Sequence, residues 1–492
     1  VEELGEVLGV GALVLLLAVL AVRVFARVGL PSLLLYLGIG VVLGESGFGI
    51  EFSNAKLTES LGLAALVLIL TEGGITTKWR EVKPALGVGI ALSTVAVLVS
   101  IGVTGTALHY LIDLDWRTAL LWGAVLSSTD AAAVFSVLRT VGVPKRIAGA
   151  LELESGINDA PVYLAVVLLA SGEQFSWQTP LVVIYELIAG AIIGGVLGGA
   201  GSWLMRHVAL PATGLYPLAA VAVCVLAYSS GELAGASGLL ATYVCGVVLG
   251  NSKLPHRSDT LSFAEGLGLL AQIGLFVLLG LYMSPEKMLE AIVPGIVAGL
   301  VLLFLARPVS VFLSTAPFRL PWREQVFLSW SGLRGAVPIV LAMIPLTEGA
   351  PRAALLVNTV FVLVVLLTLF QGGTLPVLAR ILGLRQRGQP TELEVDAAPL
   401  DTLGAELLQV RIQESSKLQG VYLSELRLPK GATVSLVVRE GEGFTPDSST
   451  RLRRADQLLV VATEAAREKT ERRIRAVDRA GKHATWRGET GK

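Results

Sequence analysis

The chain reads as a series of long apolar runs separated by short clusters of Gly, Pro and charge. About thirteen runs can be traced, roughly 6–26, 31–46, 61–75, 85–108, 117–138, 147–171, 181–205, 215–231, 236–250, 262–282, 291–314, 325–346 and 353–379. About 20 apolar residues make a helix that crosses the hydrocarbon core, and the runs cluster near that length. The pattern predicts an all-α polytopic membrane domain over residues 1–385. From about Gln389 the periodicity changes to short β-like alternations at 406–412, 432–439 and 457–462, with a short helix at 423–428 between them. A linker is expected over 386–402 and a small cytoplasmic α+β domain over 403–465. The charged tail, 466–492, reads as a helix end passing into disordered chain.

Composition fits this division. Hydrophobic residues make up 53% of the chain and charged residues 16%, where a soluble domain carries about 25% charged; mean hydropathy is +0.70. The 54 glycines suit helices that approach closely where lipid gives no hydrophobic drive for association. Net charge is zero and discriminates among no partners; the expected environment is a lipid bilayer, with no nucleic acid. Cys224 and Cys245 lie in apolar runs and read as packing residues. The four histidines lack metal-ligand spacing, and neither a GxGxxG loop nor a P-loop is present, which disfavours ATP-driven transport.

Basic residues divide unevenly between alternate connections. One set holds sixteen, from Arg23, Arg27, Lys78, Arg80 and Lys83 through to Arg380, Arg385 and Arg387; the other holds only Lys56, Arg117, Lys287 and Arg352. Because cytoplasmic loops are enriched in Lys and Arg, the N-terminus is expected outside and the C-terminus in the cytoplasm. The acidic start VEELGE, followed by basic residues after the first run, reverses the order in a signal peptide, so the first run is expected to remain as a helix.

Against this apolar background the stretch LELESGINDAP, residues 151–161, places Glu152, Glu154, Ser155, Asn158 and Asp159 inside a spanning run. Each carboxylate at mid-membrane costs about 2.5–3.5 kcal/mol on insertion scales, so such a cluster reads first as an ion or proton site. At 3.6 residues per turn Glu154 and Asn158 share one helix face, and Ser155 and Asp159 the adjacent strip. Their oxygens can replace the hydration shell of a hard cation; an interhelical hydrogen-bond network without an ion is the alternative. The preceding run contains SSTDAAAVFS, residues 127–136, in which Asp130 follows three hydroxyl residues, a pattern that favours a helix break. Freed carbonyls at such breaks coordinate ions in transporters.

Two intramembrane arginines face these acids, Arg307 in ARPVSVF and Arg334 in SGLRGAVP. Arg307 is assigned to Glu154 as a structural ion pair, since a paired carboxylate cannot readily cycle protons. That leaves Asp159 as the carrier. Arg334, between Gly332 and Gly335, is expected to support a second helix break by meeting a half-helix C-terminus. Glu72 reads as a snorkelling residue near a segment end. The broken runs are the fifth and twelfth, equivalent positions if segments 1–6 and 8–13 are inverted repeats, which points to a midplane binding site.

At these motifs the sequence resembles the monovalent cation:proton antiporter-1 family, most closely its NhaP-type potassium/proton antiporters of bacteria, over nearly all of residues 1–385. The resemblance implies the sodium/proton antiporter fold, with Thr129, Asp130 and Ser155 joining Asn158 and Asp159 at the cation site and with Glu154 and Arg307 paired. It also implies a homodimer in the bacterial inner membrane, a six-helix core moving as an elevator, electroneutral exchange, and no enzymatic activity. Residues 403–463 are similar to the TrkA-C domain of potassium transport systems, whose implied partner is a small cytoplasmic ligand, such as a nucleotide. Transported K+ or Na+ and H+ are the only other small species expected, with K+ favoured by the TrkA-C resemblance. An intramembrane aspartyl protease using Asp130 and Asp159 lacks its GxGD context here, and a potassium channel lacks a TVGYG-like filter.

Overall fold

A computed structural model describes residues 5, 9, 11–20, 32–45, 47–50, 52–130, 143–172, 176–208, 210–283, 285–384, 395–400, 405–413, 416–439 and 441–481. The chain divides into two compact units, Val1–Arg385 and Gln386–Lys492.

The first unit is helical. Among the described residues, eight helices are long and apolar enough to cross a membrane. In chain order its helices are α1 (Gly11–Leu20), α2 (Ser32–Leu43), α3 (Ala55–Thr76), α4 (Trp79–Ile112), α5 (Trp116–Val125) and α6 (Lys145–Ala170). They continue as α7 (Thr179–His207), α8 (Leu215–Leu233), α9 (Gly238–Gly250), α10 (Arg257–Tyr282) and α11 (Leu289–Phe318), then α12 (Trp322–Trp330), α13 (Ala336–Thr347) and α14 (Ala353–Ile381).

Glycine spacing sets how several of these pack. On α7, Gly190, Gly194 and Gly198 recur every fourth residue and meet the α9 backbone at Ser237, Ala241 and Cys245, where a Cβ would collide. Small residues one turn apart bring the two backbones together, the means of association that lipid leaves available. Cys224 of α8 and Cys245 of α9 are free, buried thiols with sulfurs 3.8 Å apart. They pack, as their apolar setting suggests.

Two interruptions matter for function. After Val125 the α5 helix stops, and residues up to Asp130 are not helical. Between α12 and α13, Ser331 to Gly335 are likewise unwound. Residues 131–136 of the SSTDAAAVFS motif lie outside the described residues. In α11 the turn at Leu302–Ala306 widens to a π-helix immediately before Arg307; Pro308 has no N–H to give, and π-turns recur at functional positions.

The second unit is a five-stranded antiparallel sheet, β1 (Val395–Leu400), β2 (Ala405–Arg411), β3 (Ala432–Arg439), β4 (Glu442–Phe444) and β5 (Gln457–Thr463), ordered β1-β2-β5-β3-β4. It also has a short helix α15 (Leu423–Leu426) and a long one, α16 (Glu464–Ala480). Two expectations are corrected here. The linker over 386–402 contains β1, which pairs along β2 from Val395–Val410 to Leu400–Ala405. The charged tail begins as α16, whose Ala466, Ile474 and Val477 are buried, the latter two in the domain's core with Leu408, Val410 and Val460. Charge on the other faces of α16 hides that apolar stripe in the sequence.

Candidate ion site

The two unwound segments meet. The Asp130 N–H donates to the Leu333 carbonyl at 3.0 Å, and the Arg334 guanidinium donates through Nη1 to the Ser128 carbonyl. Gly335 lies directly against the Asp130 carboxylate, in space that any Cβ would occupy. Thr368 of α14 braces the crossing by donating to the Arg334 carbonyl at 3.0 Å. A helix that stops inside a membrane leaves carbonyls without partners. Here each of the two stops receives an arginine. Arg334 serves the end of α5, and Arg307 reaches the Leu328 carbonyl of α12 at 3.4 Å, beside Gln371, which holds the Trp330 carbonyl at 2.8 Å.

Helix α6 runs past this crossing and supplies the carboxylates. Arg307 grips Glu154 with both terminal nitrogens, Nη1 on Oε1 and Nη2 on Oε2, the latter at 2.8 Å. Both partners are buried, at 1% and 5% exposure. The expected pair is therefore formed, in the bidentate geometry that makes Arg–carboxylate bonds strong. Asp159, five residues on, is in a different setting. It is 2% exposed, and its Oδ1 accepts a hydrogen bond from Ser128 Oγ at 2.9 Å. No arginine or lysine pairs with it among the described residues.

Asn158 joins α6 to the first break by donating from Nδ2 to Thr129 Oγ1 at 2.5 Å. Its Oδ1 is buried without a hydrogen-bond partner among the described residues, as are Nε of Arg307 and Nε of Arg334. Thr129, Asp130 and Ser155 are all buried, at 1%, 6% and 2% exposure. The structure thus brings Thr129, Asn158 and Asp159 into a bonded group around the first break, with Asp130 tied to the second and Ser155 one turn before Asp159 on α6. A bare amide oxygen, hydroxyls and two carboxylates form a donor set that suits a dehydrated monovalent cation.

Glu72 is half-buried on α3 facing Gly268 of α10, where a Cβ would come within 2.7 Å of its side chain. Reasoning from sequence missed Ser128 as the partner of Asp159, Thr368 and Gln371 as braces, and Gly335 as the contact for Asp130. Ser128 was visible within the hydroxyl run, but only the backbone path decides which hydroxyl meets Asp159 and which meets Asn158. Thr368 and Gln371 carried a fainter signal, being polar residues in the apolar run of α14.

The profile described as "Sodium/hydrogen exchanger, transmembrane" matches residues 12–381. The chain belongs to this family. Within this exchanger a TrkA-C domain matches residues 407–475. The exchanger is 36% identical to the K(+)/H(+) antiporter NhaP of Alkalimonas amylolytica, an alignment covering 92% of this chain and 80% of the relative. It is 33% identical to the K(+)/H(+) antiporter NhaP2 of Shewanella oneidensis, over 93% and 81%. A solved structure of a sodium proton antiporter from Methanocaldococcus jannaschii matches with a TM-score of 0.69 at 24% identity, covering 77% of this chain and 99% of that one. That likeness establishes a shared fold.

Proposed function

We propose that this exchanger is a secondary antiporter that trades K+ for H+ across a bacterial inner membrane, with Asp159 as the carrier. The observation that carries the reading is the contrast on α6. Glu154 is held by Arg307, while Asp159 is buried at the crossed breaks with a neutral hydroxyl as its described partner. A buried carboxylate in that position takes up a proton or a cation, because either neutralises it, and it cannot hold both. Thr129, Asp130, Ser155 and Asn158 supply further oxygens. With Asn rather than a second Asp at position 158, one carboxylate exchanges one proton for one monovalent cation, and transport is electroneutral.

The relatives named K(+)/H(+) antiporters favour K+ over Na+. The helices read as thirteen crossings in two inverted sets, with the breaks in the fifth and twelfth. The charge asymmetry supports an external N-terminus and a cytoplasmic TrkA-C domain. The family fold supports a homodimer in which a core carrying α5, α6, α12 and α13 moves as an elevator. The TrkA-C domain regulates, with a small cytoplasmic ligand, such as a nucleotide, as its effector.

The test is exchange in proteoliposomes under an imposed pH gradient, with K+ and Na+ supplied separately. Dissipation of the gradient by K+, unaffected by a clamped membrane potential, supports the reading. Dissipation by Na+ alone reassigns the cation, and current without proton exchange refutes antiport.

A further inference from the structure

Glu152 lies seven residues before Asp159 on α6, which returns to nearly the same helix face about 10 Å away along the axis. Gly156 sits between them on that face. The ring of Tyr243, from α9, lies against Gly156 so closely that a Cβ there would overlap its Cε2 and Cζ. Tyr243 is 3% exposed and its hydroxyl is 3.4 Å from Thr77 Oγ1, at the end of α3. Thr77, whose hydroxyl donates to the Gly73 carbonyl at 2.7 Å, lies near the Glu152 carboxylate. A carboxylate, a hydroxyl and a phenol thus lie together beside α6, with the phenol ring packed on Gly156 in the turn before Asp159.

The setting of Glu152 differs from that of Glu154, two residues away. Among the described residues no basic side chain forms an ion pair with it; Lys78 and Glu81 act on it from further off with opposite signs, and Glu81 is itself paired with Lys145 at 3.5 Å. Glu152 is half-buried rather than buried, so it is reachable from the end of α6 at which Lys78, Glu81 and Lys145 cluster. Helices α3 and α9 pack tightly on each other through Gly74 and Gly246, and α9 meets this part of α6 through the Tyr243 ring on Gly156.

We propose that Glu152 receives the cation at the cytoplasmic mouth and that Tyr243, seated on Gly156, closes the passage from Glu152 to Asp159. This rests on the antiport reading and on its orientation. A half-buried carboxylate raises the local cation concentration without holding the ion permanently, since it lacks the remaining ligands that a binding site needs. When α6 moves relative to α3 and α9, the ring leaves Gly156 and the path opens.

The experiment measures cation KM and kcat separately at the two faces, in everted and right-side-out vesicles, for the wild type and for Glu152→Gln and Glu152→Asp. The expected result for Glu152→Gln is a cation KM about three- to tenfold higher at the cytoplasmic face, an unchanged KM at the outer face, and kcat within about twofold. Glu152→Asp should restore most of the cytoplasmic KM. Exchange by the wild type with no change in KM, or with equal changes at both faces, overturns this inference and leaves the antiport reading intact. Absence of exchange in the wild type overturns the reading and the inference together.

Discussion

Helix α6 carries two buried carboxylates five residues apart, and their surroundings are opposites. At Glu154 both oxygens meet the Arg307 guanidinium; at Asp159 one oxygen meets the Ser128 hydroxyl. The first arrangement neutralises its charge within the protein and has no need of an ion. The second has no basic partner among the described residues, and the proposal has its charge neutralised by a proton or a cation. On the proposed reading one helix combines a fixed anchor and an exchangeable site, and the arginine decides which is which. The crossed breaks make this division possible, because each arginine also serves a helix end that would otherwise leave bare carbonyls in the membrane.

The largest expected effect falls on the exchangeable side. Asp159→Asn should abolish exchange in proteoliposomes while leaving membrane insertion and thermal stability close to wild type, since it removes a buried charge without stranding a partner. Substantial exchange by a well-folded variant would move the carrier role elsewhere, with Asp130 the first candidate.

Changes at the anchor should act on stability. Glu154→Gln or Arg307→Gln strands the other charge and should cost about 3–5 kcal/mol, seen as a sharp fall in the temperature of unfolding in detergent. The double variant should recover part of that loss. Additive losses would mean that the pair contributes nothing as a pair.

The smallest effect belongs to the C-terminal unit. Truncation after Leu384 removes the sheet and α16 and should leave cation/proton exchange intact, while shifting its pH dependence or its response to a cytoplasmic ligand. Only a ligand that binds one transport state more tightly than another can produce such a shift. Loss of exchange in a correctly inserted, truncated protein would assign the domain a part in transport itself.

Much of the anchor was legible in the sequence, because two isolated charges in apolar runs have few ways to be satisfied, and Glu154 and Arg307 satisfy each other. The break at Asp130 was equally plain from three hydroxyl residues in series. What the sequence could not carry was register. Whether Ser127, Ser128 or Thr129 turns toward Asp159 depends on how the unwound backbone crosses its counterpart, and the Asp130 to Leu333 hydrogen bond joins segments about two hundred residues apart. In the C-terminal unit β2, β3 and β5 showed as alternating runs, whereas β1 is an edge strand containing Pro399, which reads as linker. The long helix α16 was masked by its charge, although Ile474 and Val477 mark its buried face.

The central claim is that one carboxylate, Asp159, binds the proton and the cation by turns, and competition between the two tests it most directly. The measurement is the apparent cation KM and kcat of the wild type across a pH series, at zero membrane potential. Lowering pH protonates Asp159 and removes the site, so KM should rise toward tenfold for each pH unit below its titration, while kcat at saturating cation stays constant. A cation KM that is independent of pH, with kcat alone falling in acid, would contradict the account, because the proton would then be acting at a different group.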